Sequence, residues 1–204
     1  SFDAAAIAAT YGSVSAVTFI TATQVLGQYG VEYGGHMAAA MALMESPAII
    51  LAILLANKAR AESTQNKQSP SLANILHESF TDGAQLLLLG SMVVGLVSGD
   101  AGQKLMAPFS IDLFKGMLAF FLLDMGLMAA KNFEGLKGKP PITLLYAILA
   151  PLLHATIALG LCKLLSLPLG DTVLLMVLAA SASYIAVPAV LRHALPEVNP
   201  ALYM

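Results

Sequence analysis

Six apolar runs constrain this chain more than any other feature: 3–27, 37–57, 83–98, 112–130, 141–163 and 171–191. A helix needs about 20 apolar residues (range ~17–25) to cross bilayer hydrocarbon, and most of these runs reach that length. The 83–98 run is short and must extend back toward Phe80 or tilt little. Lipid offers backbone groups no partner, so only helices and closed barrels span it. The runs are long, rich in Ala, Leu and Met, and lack the period-2 alternation of barrel strands. The expected fold class is therefore all-α, a polytopic membrane helix bundle with about six transmembrane helices. Composition agrees: 58% of residues are hydrophobic and 11% charged, against about 25% charged in soluble domains. Disordered and fibrous classes are excluded by the same figures. A net charge of −2 gives no basis for a nucleic-acid partner. The single Cys162 cannot form an intrachain disulfide.

Lys and Arg set the orientation. Lys58, Arg60, Lys67, Lys131, Lys137, Lys139 and Arg192 fall on one side if six helices alternate, leaving Lys104, Lys115 and Lys163 on the other. The positive-inside rule makes the first side cytoplasmic. Three parts follow. Residues 1–57 hold two helices, 58–80 form a polar cytoplasmic loop, and 81–204 hold four helices. Asp3 and an Ala-rich run follow Ser1 at once, so no signal peptide is read there. With no initiating Met, and a stop at Tyr203-Met204 after a polar loop where another helix would be expected, a piece of a longer protein is expected.

Two of the runs carry hydroxyl clusters at mid-depth. The first is Thr10-Tyr11-Gly12-Ser13-Val14-Ser15-Ala16-Val17-Thr18, and the second is Ala180-Ser181-Ala182-Ser183-Tyr184-Ile185-Ala186-Val187-Pro188. Ser and Thr bond to local backbone and compete with regular helix, Gly12 relaxes the chain, and Pro188 removes a donor. Both helices are expected to be interrupted near the midplane. A half-helix beginning there presents free N–H groups and the positive end of its dipole, which hold an anion without Arg or Lys. The half-helix ending there presents carbonyls, which suit Na⁺. By the alternation above the two helices run in opposite directions, the pattern of an inverted-repeat transporter. Gly12, Ser13, Val14, Ser15, Ser181, Ala182 and Ser183 are the expected substrate-binding residues. Thr10, Thr18, Glu45, Ser183 and Tyr184 are the expected Na⁺ ligands. The competing reading of the hydroxyls is close helix packing, where Ser and Thr are common.

Glu45 lies beside Pro47 in Met44-Glu45-Ser46-Pro47. A charge at that depth is costly. It reads as a Na⁺ ligand, a proton site or the cap of a broken helix, and otherwise as a carboxyl paired within the bundle. Asp124 carries the same alternatives nearer a helix end. His154 reads as a packing residue, and His36 and His77 as solvated flanks. No His or Cys pair has metal-ligand spacing. Gly34, Ala38 and Ala42 form a small-residue stripe suited to close helix contact, within the chain or between subunits.

These residues give the chain a resemblance to the cyanobacterial-type sodium-dependent bicarbonate transporter family. The resemblance rests on Tyr11-Gly12-Ser13-Val14-Ser15, on Glu45 with Pro47, and on Ala150-Pro151 with His154. It continues through Ala179-Ala180-Ser181-Ala182-Ser183 to Pro188, Leu191-Arg192 and Asn199-Pro200, and covers essentially the whole chain. It implies a ten-helix inverted-repeat fold assembling as a homotrimer in the bacterial inner membrane, of which this chain holds helices four to nine. It implies bicarbonate import with Na⁺, the anion lying between the two interrupted helices, and in some members a PII-like cytoplasmic regulator. The chain differs from those members in three places: Tyr184 stands for an Asp, Ala186 for a Ser, and Glu45 for an Asp. Its 58–80 loop is also shorter. Alternative readings are a symporter for another small anion or carboxylate, an intramembrane serine hydrolase using His154, and a non-transporting scaffold or sensor. The hydrolase reading lacks a Gly-x-Ser-x-Gly elbow.

Overall fold

The computed structural model describes residues 2–44, 83–136 and 141–184, together with 187, 188, 191 and 198. Every described regular element is helical. In chain order they are α1 (Phe2–Gly12), α2 (Ala16–Gln28), α3 (36–44), α4 (Gly83–Ala107), α5 (Phe114–Asn132), α6 (Pro141–Leu164) and α7 (Leu169–Ala180). A wide π turn over Pro108–Leu113 joins α4 to α5, and a 3₁₀ turn over Phe133–Leu136 follows α5.

Two spans are long and apolar enough to cross a bilayer among the described residues. They are Phe2–Gln28 taken across its break, and Pro141–Leu164. Leu89–Leu113 and Gly116–Lys131, bent by 42°, make a third if they act as one. The run at 83–98 departs from expectation. It does not stop, but continues as α4 to Ala107, with a kink at Gly99, whose φ of 53° and ψ of −146° are not helical. The apolar pattern ends near Ser98, but Ala101, Gln103, Lys104 and Leu105 are good helix formers and carry the backbone on. The segment 99–111, which separates two apolar runs, is thus almost wholly helical. Glu45, most of the 37–57 run and the 58–80 loop lie outside the described residues.

The core lies where α2, α3 and α7 meet. Val14, Phe19, Leu26, Met37, Met41, Leu174 and Leu178 form one buried cluster. Phe19 and Leu26 are seven apart, and Met37–Met41 and Leu174–Leu178 four apart, so each helix turns one stripe inward. Ala38 packs against the cluster and Ala42 is buried, so the small-residue stripe serves this chain's own core. α6 and α7 form an antiparallel hairpin. It turns on Ser166 at φ 54°, with Ser166 N–H donating to the Lys163 carbonyl and Leu167 N–H to that of Cys162. α4, α5 and α6 expose most of their Leu, Val, Ile and Phe side chains, a surface suited to lipid.

Candidate functional site

The first break is built by three residues, Ser13, Val14 and Ser15. α1 ends at Gly12, Ser13 N–H closes the last turn on the Ala9 carbonyl, and α2 starts at Ala16 behind Ser15. Ser15 sits at φ −105° and ψ 112° as the N-cap. Its Oγ accepts from Thr18 N–H (3.2 Å) and from the Thr18 hydroxyl (2.9 Å), the usual device for satisfying orphan helix donors. The second break repeats the design. α7 ends at Ala180, Ser181 N–H closes onto the carbonyls of Val177 and Leu178, and Ser183 Oγ accepts from Val187 N–H at 3.4 Å. Ser13 and Ser15 thus correspond in role to Ser181 and Ser183.

The structure brings the two breaks together. Ser183 N–H donates to the Thr10 carbonyl (3.0 Å). In the other direction Ser15 N–H donates to Ser181 Oγ (3.1 Å), and that hydroxyl donates to the Leu178 carbonyl (2.9 Å). One crossing bond is direct; the other is relayed through a hydroxyl. Thr10 Oγ1 is spent on the Ala6 carbonyl (2.9 Å). Thr10, Ser13, Val14, Ser15 and Ser183 are all buried, with Ser13 at 0% exposure. Gly12 is exposed; Ala182, Tyr184, Thr18 and Ser181 are half-buried. Of the expected site residues, only Glu45 lies outside the described ones.

The polar groups that the described residues place at the crossing are backbone and hydroxyl dipoles. Among the described residues the buried side chains there with polar atoms are uncharged. The first two amides of α2, Ala16 and Val17, have no hydrogen-bond partner among the described residues, nor do the carbonyls of Tyr11, Gly12, Ala179 and Ala180. The crossing therefore offers two donors at a helix start and two pairs of acceptors at helix ends. No three His, Cys, Asp or Glu side chains come together among the described residues, and the polar atoms at the crossing are backbone amides, carbonyls and hydroxyls.

Each break also carries an aromatic contact to a neighbouring helix. Tyr11 meets Tyr146 of α6 edge-on, centroids 5.3 Å apart, with its hydroxyl donating to the Ala147 carbonyl (3.4 Å). Tyr184 packs on Phe121 of α5 at 5.8 Å. Asp124, one turn further along α5, is exposed. Sequence reasoning found the serines but not these partners, nor Asp171, which is buried at 4% exposure and accepts Gly34 N–H at 2.6 Å. His36, expected to be solvated, is 69% exposed but stands 3.4 Å from that carboxylate. The matching Ser-x-Ser spacing was the signal that pairs the two breaks.

A family model described as the Na⁺-dependent bicarbonate transporter superfamily matches residues 1–204. No curated protein matches the chain.

Proposed function

The chain belongs to the Na⁺-dependent bicarbonate transporter superfamily, and on that premise we propose that it takes part in Na⁺-coupled import of bicarbonate by alternating access. The observation that carries the reading is the pair of facing breaks, Ser13-Val14-Ser15 and Ser181-Ala182-Ser183, bonded to each other in both directions. The anion sits at the start of α2, taking donors from Ala16 and Val17 N–H and from the hydroxyls of Ser13, Ser15, Ser181 and Ser183. Na⁺ sits at the carbonyls of Tyr11, Gly12, Ala179 and Ala180, with Thr10, Thr18, Ser183, Tyr184 and Glu45 as further ligands. Binding the cation first offsets the negative charge of the anion in a site that has no Arg or Lys among the described residues. The role match between the breaks supports an inverted-repeat, ten-helix architecture, and the exposed faces of α4–α6 suit a multi-pass protein of the bacterial inner membrane that assembles as a trimer. A PII-like regulator on the cytoplasmic face belongs to the same reading.

A small monocarboxylate is the second reading. It is favoured by Tyr184, which packs on Phe121 and brings an aromatic ring, suited to an apolar substituent, to the end of the second break.

The test is uptake of ¹⁴C-bicarbonate into proteoliposomes, with and without an inward Na⁺ gradient, alone and against competing formate and acetate. Uptake that requires Na⁺ and falls in Ser13→Ala, Ser15→Ala and Ser183→Ala supports the reading. Uptake indifferent to Na⁺, or unchanged in all three variants, overturns it. Competition by carboxylates at equal concentration selects the second reading.

A further inference from the structure

We propose that Asp171 is a positioning residue for the crossing: its buried carboxylate sets the register in which the two broken helices meet. The inference rests on the reading of the crossing as a transport site, and extends it to a residue that touches neither anion nor cation.

The half-helices α2 and α7 lie side by side in the core and, besides that apolar contact, are tied by polar bonds at two places. One is the pair of bonds at the breaks. The other is at the far end, where Asp171 in the first turn of α7 reaches the segment after α2. Its Oδ1 accepts Gly34 N–H at 2.6 Å, and its Oδ2 stands 3.4 Å from His36 Nε2. An acid in a first helical turn is ordinary, since it suits the dipole. This one does more. The N-cap of α7 is Pro168, which has no side-chain cap, and Asp171 directs its carboxylate across the chain instead. It is also only 4% exposed, and a buried carboxylate persists only when partnered.

The neighbouring residue shows how close the approach is. A Cβ added at Gly170 would collide with the Glu32 carbonyl and reach the Tyr33 side chain. The start of α7 is therefore pressed against the backbone of residues 32–34, and Gly30 at φ 66° turns the chain into that position. From Asp171 to Ser181 is about 15 Å of helix, at ~1.5 Å per residue. Without the Asp171 tie, the height of α7 against α2 would rest on the bonds at the breaks and on apolar packing, which is non-directional. Attachment at both ends fixes its height, and with it the placement of Ser181 and Ser183 against Ser15 and Thr10.

The experiment uses the protein in proteoliposomes and two readouts. Amide hydrogen exchange follows Ser15 and Ser183, whose N–H groups make the crossing bonds. Uptake kinetics at saturating Na⁺ give KM and kcat for bicarbonate. Asp171→Ala is expected to speed exchange at both serines by about tenfold and to raise KM about fivefold with kcat within about twofold. Asp171→Asn keeps an oxygen that accepts Gly34 N–H and is expected to stay near wild type in both. Gly170→Ala keeps the carboxylate but forces the two segments apart, and is expected to reproduce Asp171→Ala. It decides the matter where Asp171→Ala does not fold. Faster exchange confined to Gly34 and the start of α7, with Ser15 and Ser183 unchanged, assigns Asp171 a local role and overturns the proposal. If the wild-type protein takes up no bicarbonate, the transport reading fails by itself, and exchange at the two serines still judges the tie.

Discussion

The two breaks use the same Ser-x-Ser pattern for different work. In the first, Ser15 gathers two donors from Thr18 and caps α2 at short range. In the second, the donor to Ser183 Oγ among the described residues is Val187 N–H, at 3.4 Å. The roles reverse across the crossing. Ser183 N–H reaches the Thr10 carbonyl directly, whereas Ser15 N–H reaches α7 only through the Ser181 hydroxyl. Among the described residues, Ser15 of the first break thus makes its shortest side-chain bond within its own cap, and Ser183 of the second makes its shorter bond to the partner break. Two sites with matching sequence need not fail in the same way when the same atom is removed.

The largest effect is expected for Ser181→Ala. It leaves Ser15 N–H and the Leu178 carbonyl without their shared partner, at a cost of about 2 kcal/mol and about a tenfold rise in KM for the anion. Unfolding in detergent and uptake kinetics measure the two. A neutral outcome would mean that the relay holds nothing and that the breaks are equivalent. Next comes Ser15→Ala at about 1 kcal/mol, against about 0.5 kcal/mol for Ser183→Ala, the difference of a strong and a weak cap. Equal losses would erase the asymmetry. Thr18→Val removes the hydroxyl and keeps the capped N–H. It should raise half-saturating Na⁺ about threefold, with bicarbonate KM unchanged at saturating Na⁺; a change in the anion KM alone would move Thr18 to the anion side. The smallest effect is a control outside both breaks. Ser166→Gly relieves a left-handed serine and is expected to stabilise the fold by about 0.5 kcal/mol, leaving uptake as it was.

Much of this was legible in the sequence. Apolar length and low charge gave the helical membrane class, because lipid leaves the backbone few options. The interruptions were legible because Gly12, the serines and Pro188 each weaken a helix by a local mechanism. What no single segment reveals is which atoms meet across a bundle. Ser181 and Ser183 look alike in the chain, and only their placement shows that one is a relay and the other a cap. Asp171 read as the start of a helix because its partner, the Gly34 amide, is a backbone group with no side-chain signature. The reach of α4 past Ser98 was hidden for another reason: hydropathy stops where helix propensity does not.

Gln24 stands apart from this economy. Its Nε2 is buried on α2 with no hydrogen-bond partner among the described residues, the kind of orphan that native proteins rarely keep.

The relay through Ser181 has a consequence for how tightly any guest is kept. The donors and acceptors of the crossing already satisfy one another in part, so an incoming ion does not simply fill a vacancy. On the proposed function, the unpaired amides and carbonyls give it new bonds, while each crossing hydroxyl that it takes exchanges one bond for another, and the net gain there is the small difference between them. A crossing of that kind would release as readily as it captures, which suits the proposed carrier, emptied on every cycle, better than a receptor that must hold on.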